Sequence, residues 1–319
     1  MNDGVQIAGE IPLQKFSDPR ITAKGETRAT VALDRLETLW FNTGTLCNIE
    51  CANCYILSSP TNDDLVYLTL AEFTPYLDEI RNRNLGTREI AFTGGEPFMN
   101  PDMCAMAGLS LERGFEVLIL TNAMRPMMRP SVRKELAALC AEYGDRLTLR
   151  VSLDHYLPEK HDEQRGKGTF EITLQGMRWM RETGIRMSAA GRSLWGEDED
   201  TARAGFARLF EAEGFNIDTN NPAAMVIFPE MDEMAEVPEI TTECWGILGK
   251  SPTEVMCSNA RMVVKRKGAE APAVLACTLL AYDKEFELGQ TLADADRPVA
   301  LNHPHCAKFC VLGGARCSA

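Results

Sequence analysis

The chain has 319 residues, 45% of them hydrophobic and 25% charged, enough to bury a core of one large domain or two and far from the composition of a disordered segment. A net charge of -13 disfavours a nucleic-acid or anionic-membrane partner, since both require a cationic surface. No apolar run approaches the ~18 residues of a membrane span, and Met1-Asn2-Asp3-Gly4 lacks the basic start of a signal peptide, so the expected location is the cytoplasm, where eleven cysteines point to metal binding rather than disulfides.

From about residue 37 to 228 short apolar, β-branched runs alternate with helical patterns, the signature of repeated βα units around a parallel sheet. The expected strands are 37–42, 88–93, 115–121, 146–152, 185–190 and 222–228. Six such units suggest an α/β fold, a partial (β/α)6 TIM-like barrel, with ligand sites at the C-terminal ends of the strands. The first helix is announced by the capping box Thr69-Leu70-Ala71-Glu72, followed by Phe73, Leu77 and Ile80 on one face.

The first strand leads into Cys47-Asn48-Ile49-Glu50-Cys51-Ala52-Asn53-Cys54. Three closely spaced thiolates leave a metal site open: structural zinc closes itself with four protein ligands, whereas a 4Fe-4S cluster on Cys47, Cys51 and Cys54 keeps one iron for a small molecule. The second strand breaks into Gly94-Gly95-Glu96-Pro97, where glycines permit close backbone approach and Glu96 can accept from an ammonium group. Thr121-Asn122 ends the third strand, Ser152-Leu153-Asp154 the fourth, and Arg192 the fifth. Cys104 and Cys140 fall within helical patterns as core thiols, and Cys244, beside Trp245, has no evident assignment.

The order and spacing of the cysteine run and the Gly-Gly-Glu-Pro turn resemble the radical S-adenosylmethionine (radical SAM) enzymes, with their C-x3-C-x2-C cluster motif. The resemblance implies that S-adenosylmethionine chelates the open iron and is reductively cleaved to methionine and a 5'-deoxyadenosyl radical, which takes hydrogen from an organic substrate. An electron donor such as a flavodoxin or ferredoxin is implied too. Carried onto this chain, Gly94, Gly95 and Glu96 would meet the methionine amino group, with Asn122 beside them. Ser152 and Asp154 look like a ribose-contacting pair. Glu163 to Phe170 is similar to an R-G-x-G-x-F stretch of such enzymes, and Arg165 or Arg192 would pair with the methionine carboxylate. Asn53 stands where an aromatic or histidine is usual, leaving Tyr55 as the neighbouring adenine contact.

Beyond an acidic, proline-containing connection at 229–243, read as a solvated linker, the pattern changes. The expected divisions are an N-terminal extension 1–30, a core 31–235 and a cysteine-rich hairpin/helix extension 236–319. Arg261 to Gly268 and Pro272 to Ala276 form a candidate β-hairpin that brings Cys257 and Cys277 to one end, and the tail adds Cys306, Cys310 and Cys317. This part resembles SPASM and twitch extensions, which implies one auxiliary 4Fe-4S cluster on five candidates, Cys257, Cys277, Cys306, Cys310 and Cys317. A zinc site on the same thiols is the competing reading. His303 and His305 read as structural.

The expected function is therefore hydrogen abstraction from a small metabolite or peptide. Only 46 residues precede Cys47, which tilts the expectation toward a small molecule, because peptide-modifying members often carry a leader-binding domain there. A non-catalytic iron-sulfur or zinc sensor is the alternative, and the intact Gly-Gly-Glu-Pro turn argues against it.

Overall fold

A computed structural model of the chain describes residues 14–230 and 236–313. After a two-residue strand β1 (Thr30–Val31), six strands lie side by side in chain order and all parallel: β2 (Thr38–Asn42), β3 (Glu89–Thr93), β4 (Glu116–Thr121), β5 (Leu147–Ser152), β6 (Arg186–Arg192) and β7 (Met225–Phe228). Between them run α1 (Leu70–Arg83), α2 (Met103–Glu112), α3 (Pro130–Tyr143), α4 (Pro158–Arg165), α5 (Thr169–Thr183) and α6 (Glu199–Glu213). The strands are apolar runs rather than alternations because both faces of a parallel sheet are covered.

Alternation along each strand separates two cores. Leu275, Met262, Trp40, Ala91 and Leu118 form one row across neighbouring strands and fill the inside of the curved sheet. The next row, Phe41, Phe92 and Ile119, faces the helices, where Phe41 meets Phe73 of α1 edge to face at 4.5 Å. Thr69 caps α1 as the sequence predicts: its hydroxyl accepts from the Glu72 N–H while the Glu72 carboxylate accepts from the Thr69 N–H. The last core strand begins at Met225 rather than 222, because the Asn221 carbonyl accepts from the Met225 N–H and its side chain from the Ala223 N–H, winding 221–224 into a turn.

The cysteine-flanked hairpin is present, as β8 (Ala260–Val264) and β9 (Ala273–Leu275), antiparallel with Met262 opposite Leu275. It is continuous with the barrel sheet: β8 pairs in parallel with β2, and β10 (Glu287–Gly289) adds a ninth strand beyond β9. The first strand of the βα series would otherwise expose an unpaired edge. β11 (Val299–Ala300) pairs with β1. A short helix α7 (Cys244–Leu248) precedes the hairpin, and a π-helix (Cys306–Leu312) follows it. Phe309 of that helix stacks on Phe228 at the opposite edge of the sheet, 5.7 Å between rings, so the C-terminal segment closes the open side of the barrel.

The acidic connection is not wholly solvated. Residues 231–235 lie outside the described residues, but Glu239 is buried against Arg28, whose side chain is fully enclosed, and it also accepts from the Phe16 and Ala23 N–H groups. No described helix is long and apolar enough to cross a membrane.

Candidate active site

The loop after β2 is sewn to the turn after β3 by backbone bonds. Thr43 donates to the Thr93 carbonyl (2.8 Å), Gly95 to Gly44 (2.8 Å) and Glu96 to Leu46 (3.1 Å). This approach is what demands two glycines. Gly94 has φ +148°, where side chains are strained, and a Cβ on Gly95 would lie 2.2 Å from the Leu46 carbonyl oxygen. Beside the ligand approach expected from the sequence, the glycines make a backbone contact that places Cys47, the residue after Leu46.

Cys47 is buried, and Cys51 and Cys54 are half-buried around the same cleft. Sulfur already receives polar hydrogens: the Asn122 amide points at Cys47 Sγ (3.8 Å), and the Ser58 N–H at Cys54 Sγ (3.3 Å). Burial pushes the Cys47 thiol up to about 12 and raises Cys51, with Arg165 and Arg192 working in the opposite direction at Cys51. These cations favour the thiolate that iron requires. Among the described residues no three His, Cys, Asp or Glu groups sit close enough to share one metal ion; a cubane cluster asks something different, one cysteine on each of several irons.

Glu96 sits beneath the cleft, 2% exposed, and is not among its lining residues. Its carboxylate accepts from the Thr121 hydroxyl (2.9 Å), the Asn122 N–H (2.8 Å) and the Phe98 N–H (3.3 Å), locking the ends of β3 and β4 together. Burial moves its pKa up to about 7 despite those bonds.

Across the cleft, Arg165 at the end of α4 holds Asp154 in a bidentate pair, 2.8 and 2.9 Å. Burial opposes both charges, yet the Asp154 carboxyl is held below the usual carboxylate range by Arg165, and Arg165 is raised by Asp154. Arg192 donates through Nη2 to the Asn53 carbonyl (3.2 Å), while its buried Nε has no partner. Asn53 donates to Gln164 Oε1 (2.8 Å), and the Tyr55 hydroxyl lies 3.3 Å from Thr93 Oγ1.

His161, fully buried, supports this wall: its Nδ1 accepts from the Asp154 N–H (3.2 Å), and burial drives the imidazole down to about 4. An unfolded histidine titrates near ~6.5, so the unfolded chain binds the proton first. The stability His161 contributes is therefore complete above ~6.5 and lost as pH falls toward 4, on the order of 3 kcal/mol. Chemical denaturation at pH 7 and pH 5 should show the loss, and His161→Gln should flatten it.

The cleft at the C-terminal strand ends holds about 1170 Å³ of empty space counted out to its open mouth. Gly94, Gly95, Asn122, Ser152, Asp154, Arg165, Arg192, Tyr55 and the three cysteines all line it; of the expected contacts only the Glu96 side chain turns away. Sequence reasoning missed Trp40, Gln164, Phe228, Thr278 and Leu279, which line it too. Gln164 alone had a local signal, as the neighbour of Arg165. Trp40 Nε1 and Ser58 Oγ are buried at this cleft without partners. A glycine cradle, three thiols, paired arginines and spare donors fit an iron-sulfur cluster with a polar, zwitterionic ligand beside it.

Below the barrel lies a second group of thiols. Cys257 precedes β8 and Cys277 follows β9, at the same end of the hairpin. Burial raises the Cys306 thiol well above its ordinary value, and Cys277 and Cys257 add to the rise as close neighbours. Cys310 lies one π-helical turn beyond Cys306 and packs where the two cores meet. Cys317 lies outside the described residues. Cys244 accepts from the Thr241 N–H (3.4 Å), a local turn contact. Cys104 is buried in α2 and Cys140 half-buried in α3, as expected of core thiols.

The chain is similar to known proteins in sequence and in fold. Residues 41–194 match the family model of the Radical SAM superfamily. Subtilosin biosynthesis protein AlbA of Bacillus subtilis is 30% identical over 154 residues, 47% of this chain and 32% of that protein. Fe-coproporphyrin III synthase of Methanosarcina barkeri is 29% identical over 155 residues, 48% of this chain and 36% of that protein. The matched region thus spans about a third of these relatives' lengths. In fold, the chain resembles Streptococcus suis SuiB bound to S-adenosylmethionine, with TM-score 0.57 at 11% identity, covering 80% of this chain and 63% of that one.

Proposed function

Residues 41–194 belong to the radical SAM superfamily, and from that premise we propose that this chain cleaves S-adenosylmethionine reductively at a 4Fe-4S cluster and turns the resulting radical on an organic substrate, a peptide or a small metabolite. The observation that carries the proposal is the convergence of Cys47, Cys51 and Cys54 with Gly94, Gly95, Ser152, Asp154 and Arg192 on one cleft. The cluster, when bound, supplies one electron to the sulfonium, releasing methionine and a 5'-deoxyadenosyl radical.

The chain's own residues bind, orient and exclude water. The three thiolates hold the cluster, and the absent side chains of Gly94 and Gly95 leave backbone to approach the amino group. Arg192 keeps an unspent Nε donor for the carboxylate, whereas Arg165 is committed to Asp154. Ser152 and Asp154 face the ribose, and Tyr55 the adenine. Trp40, Leu120, Phe228 and Leu279 add apolar surface to the wall, which helps keep water from a reactive intermediate. A non-catalytic sensor would have no use for so complete a cleft.

Cys257, Cys277, Cys306 and Cys310, with Cys317, are the proposed ligands of one auxiliary cluster. A cytoplasmic flavodoxin or ferredoxin is the proposed electron donor. Reconstituted anaerobically, the protein should carry about eight irons, and about four would leave the cleft cluster alone. Adding S-adenosylmethionine to the reduced protein should change the electron paramagnetic resonance spectrum of the cleft cluster, since the ligand takes its open iron. An unchanged spectrum would contradict the assignment.

A further inference from the structure

Arg261, on β8, is a buried cation without a counter-ion. It is 1% exposed, and its donors all go to main-chain carbonyls: Nε to Ala295 (3.1 Å), Nη1 to Cys257 (2.6 Å) and Ala260 (2.8 Å), Nη2 to Arg297 (3.3 Å). No described carboxylate pairs with it. Asp296 acts on it only through space, and that side chain is exposed and bonded to Arg83. Two other enclosed arginines do have a carboxylate partner, Arg28 in Glu239 and Arg165 in Asp154.

An ion removed from water without a partner is strongly unfavourable, and proteins keep such groups only where something compensates them. Here the nearby anion source is sulfur. Arg261 Nη1 donates to the Cys257 carbonyl, and Cys257 and Cys277 flank the same end of the β8–β9 hairpin that carries Arg261. A thiolate-ligated iron-sulfur cluster is anionic and gains a further negative charge on reduction, so a fixed cation beside it favours the reduced form.

We propose that Arg261 is the built-in counter-charge of an anionic cluster held by Cys257, Cys277 and the tail cysteines, and that it raises the reduction potential of that cluster so that it accepts an electron. This rests on the auxiliary-cluster reading above. Arg261 acts through the cluster rather than on substrate; it is a tuning residue.

The test uses the 319-residue chain with Cys47, Cys51 and Cys54 replaced by alanine, reconstituted with iron and sulfide, so that only the auxiliary cluster reports. Potentiometric titration followed by electron paramagnetic resonance then compares Arg261 with Arg261→Gln and Arg261→Lys. Losing the charge should shift the redox equilibrium at least tenfold toward the oxidised cluster, ~59 mV for one electron, while the lysine variant stays within threefold of the parent. An unshifted midpoint in an iron-loaded Arg261→Gln protein overturns the role of Arg261. Should that variant not fold, Arg261→Met, which keeps an apolar stem and also removes the charge, takes its place with the same expected shift, and an unshifted midpoint overturns the proposal. Bound zinc without a reducible signal, or no metal at all, overturns the auxiliary-cluster reading itself.

Discussion

Gly95→Ala is expected to strip the cleft of its iron while leaving most of the fold standing. The added methyl would sit 2.2 Å from the Leu46 carbonyl oxygen and 2.6 Å from the Thr45 oxygen, both backbone, so no side-chain rotation relieves the clash. The turn and the cysteine loop must part, breaking the bonds from Gly95 to Gly44 and from Glu96 to Leu46. Overpacking of this kind costs about 1–3 kcal/mol. Its larger effect falls on Cys47, which moves away from Cys51 and Cys54. Iron analysis after reconstitution should show about four irons fewer than the parent. Gly246→Ala, whose methyl meets nothing within 4 Å, is the matched control and should leave both iron and denaturation midpoint unchanged. Full iron loading in Gly95→Ala would refute the coupling.

The second large effect concerns the charges across the cleft. Asp154→Ala strands Arg165, 13% exposed, without its bidentate partner, and breaking a buried pair from one side costs ~3–5 kcal/mol. Chemical denaturation should show that loss, with weaker S-adenosylmethionine binding besides. Arg192→Met should behave in the opposite way. It removes one bond to Asn53 and the unspent Nε donor, so stability changes little, while affinity for S-adenosylmethionine, read by equilibrium dialysis, should fall about 10- to 100-fold, the worth of a charge-assisted bond. Equal affinity in the two proteins would return the carboxylate to Arg165.

What could be read from the sequence was the chemistry that is local in the chain. The cysteine run, the glycine pair and the polar residues ending each strand announce themselves, because a ligand site at the C-terminal ends of parallel strands needs them there. Trp40 could not be recognised in this way: in a strand buried on both faces, neighbouring Trp40 and Phe41 are equally apolar, and only the register with Met262 and Ala91 shows which one faces the cleft. Thr278 and Leu279 reach the cleft from more than two hundred residues downstream, through the parallel pairing of β8 with β2 that no local pattern encodes. Glu96 was legible as an acid but not as a buried one. Whether a carboxylate points into a cleft or under it depends on donors from the next strand, here Thr121 and Asn122. Glu239 misled for the same reason, since an acidic run looks solvated until Arg28 is brought to it by the fold.

The central claim is that three thiols hold a cluster that cleaves S-adenosylmethionine, and mass spectrometry of 5'-deoxyadenosine tests it most directly. Anaerobically reconstituted protein with dithionite and S-adenosylmethionine should form 5'-deoxyadenosine and methionine in equal amounts, and Cys51→Ala should form none. An iron-loaded parent that yields no 5'-deoxyadenosine, or a Cys51→Ala protein that yields as much, would contradict the account.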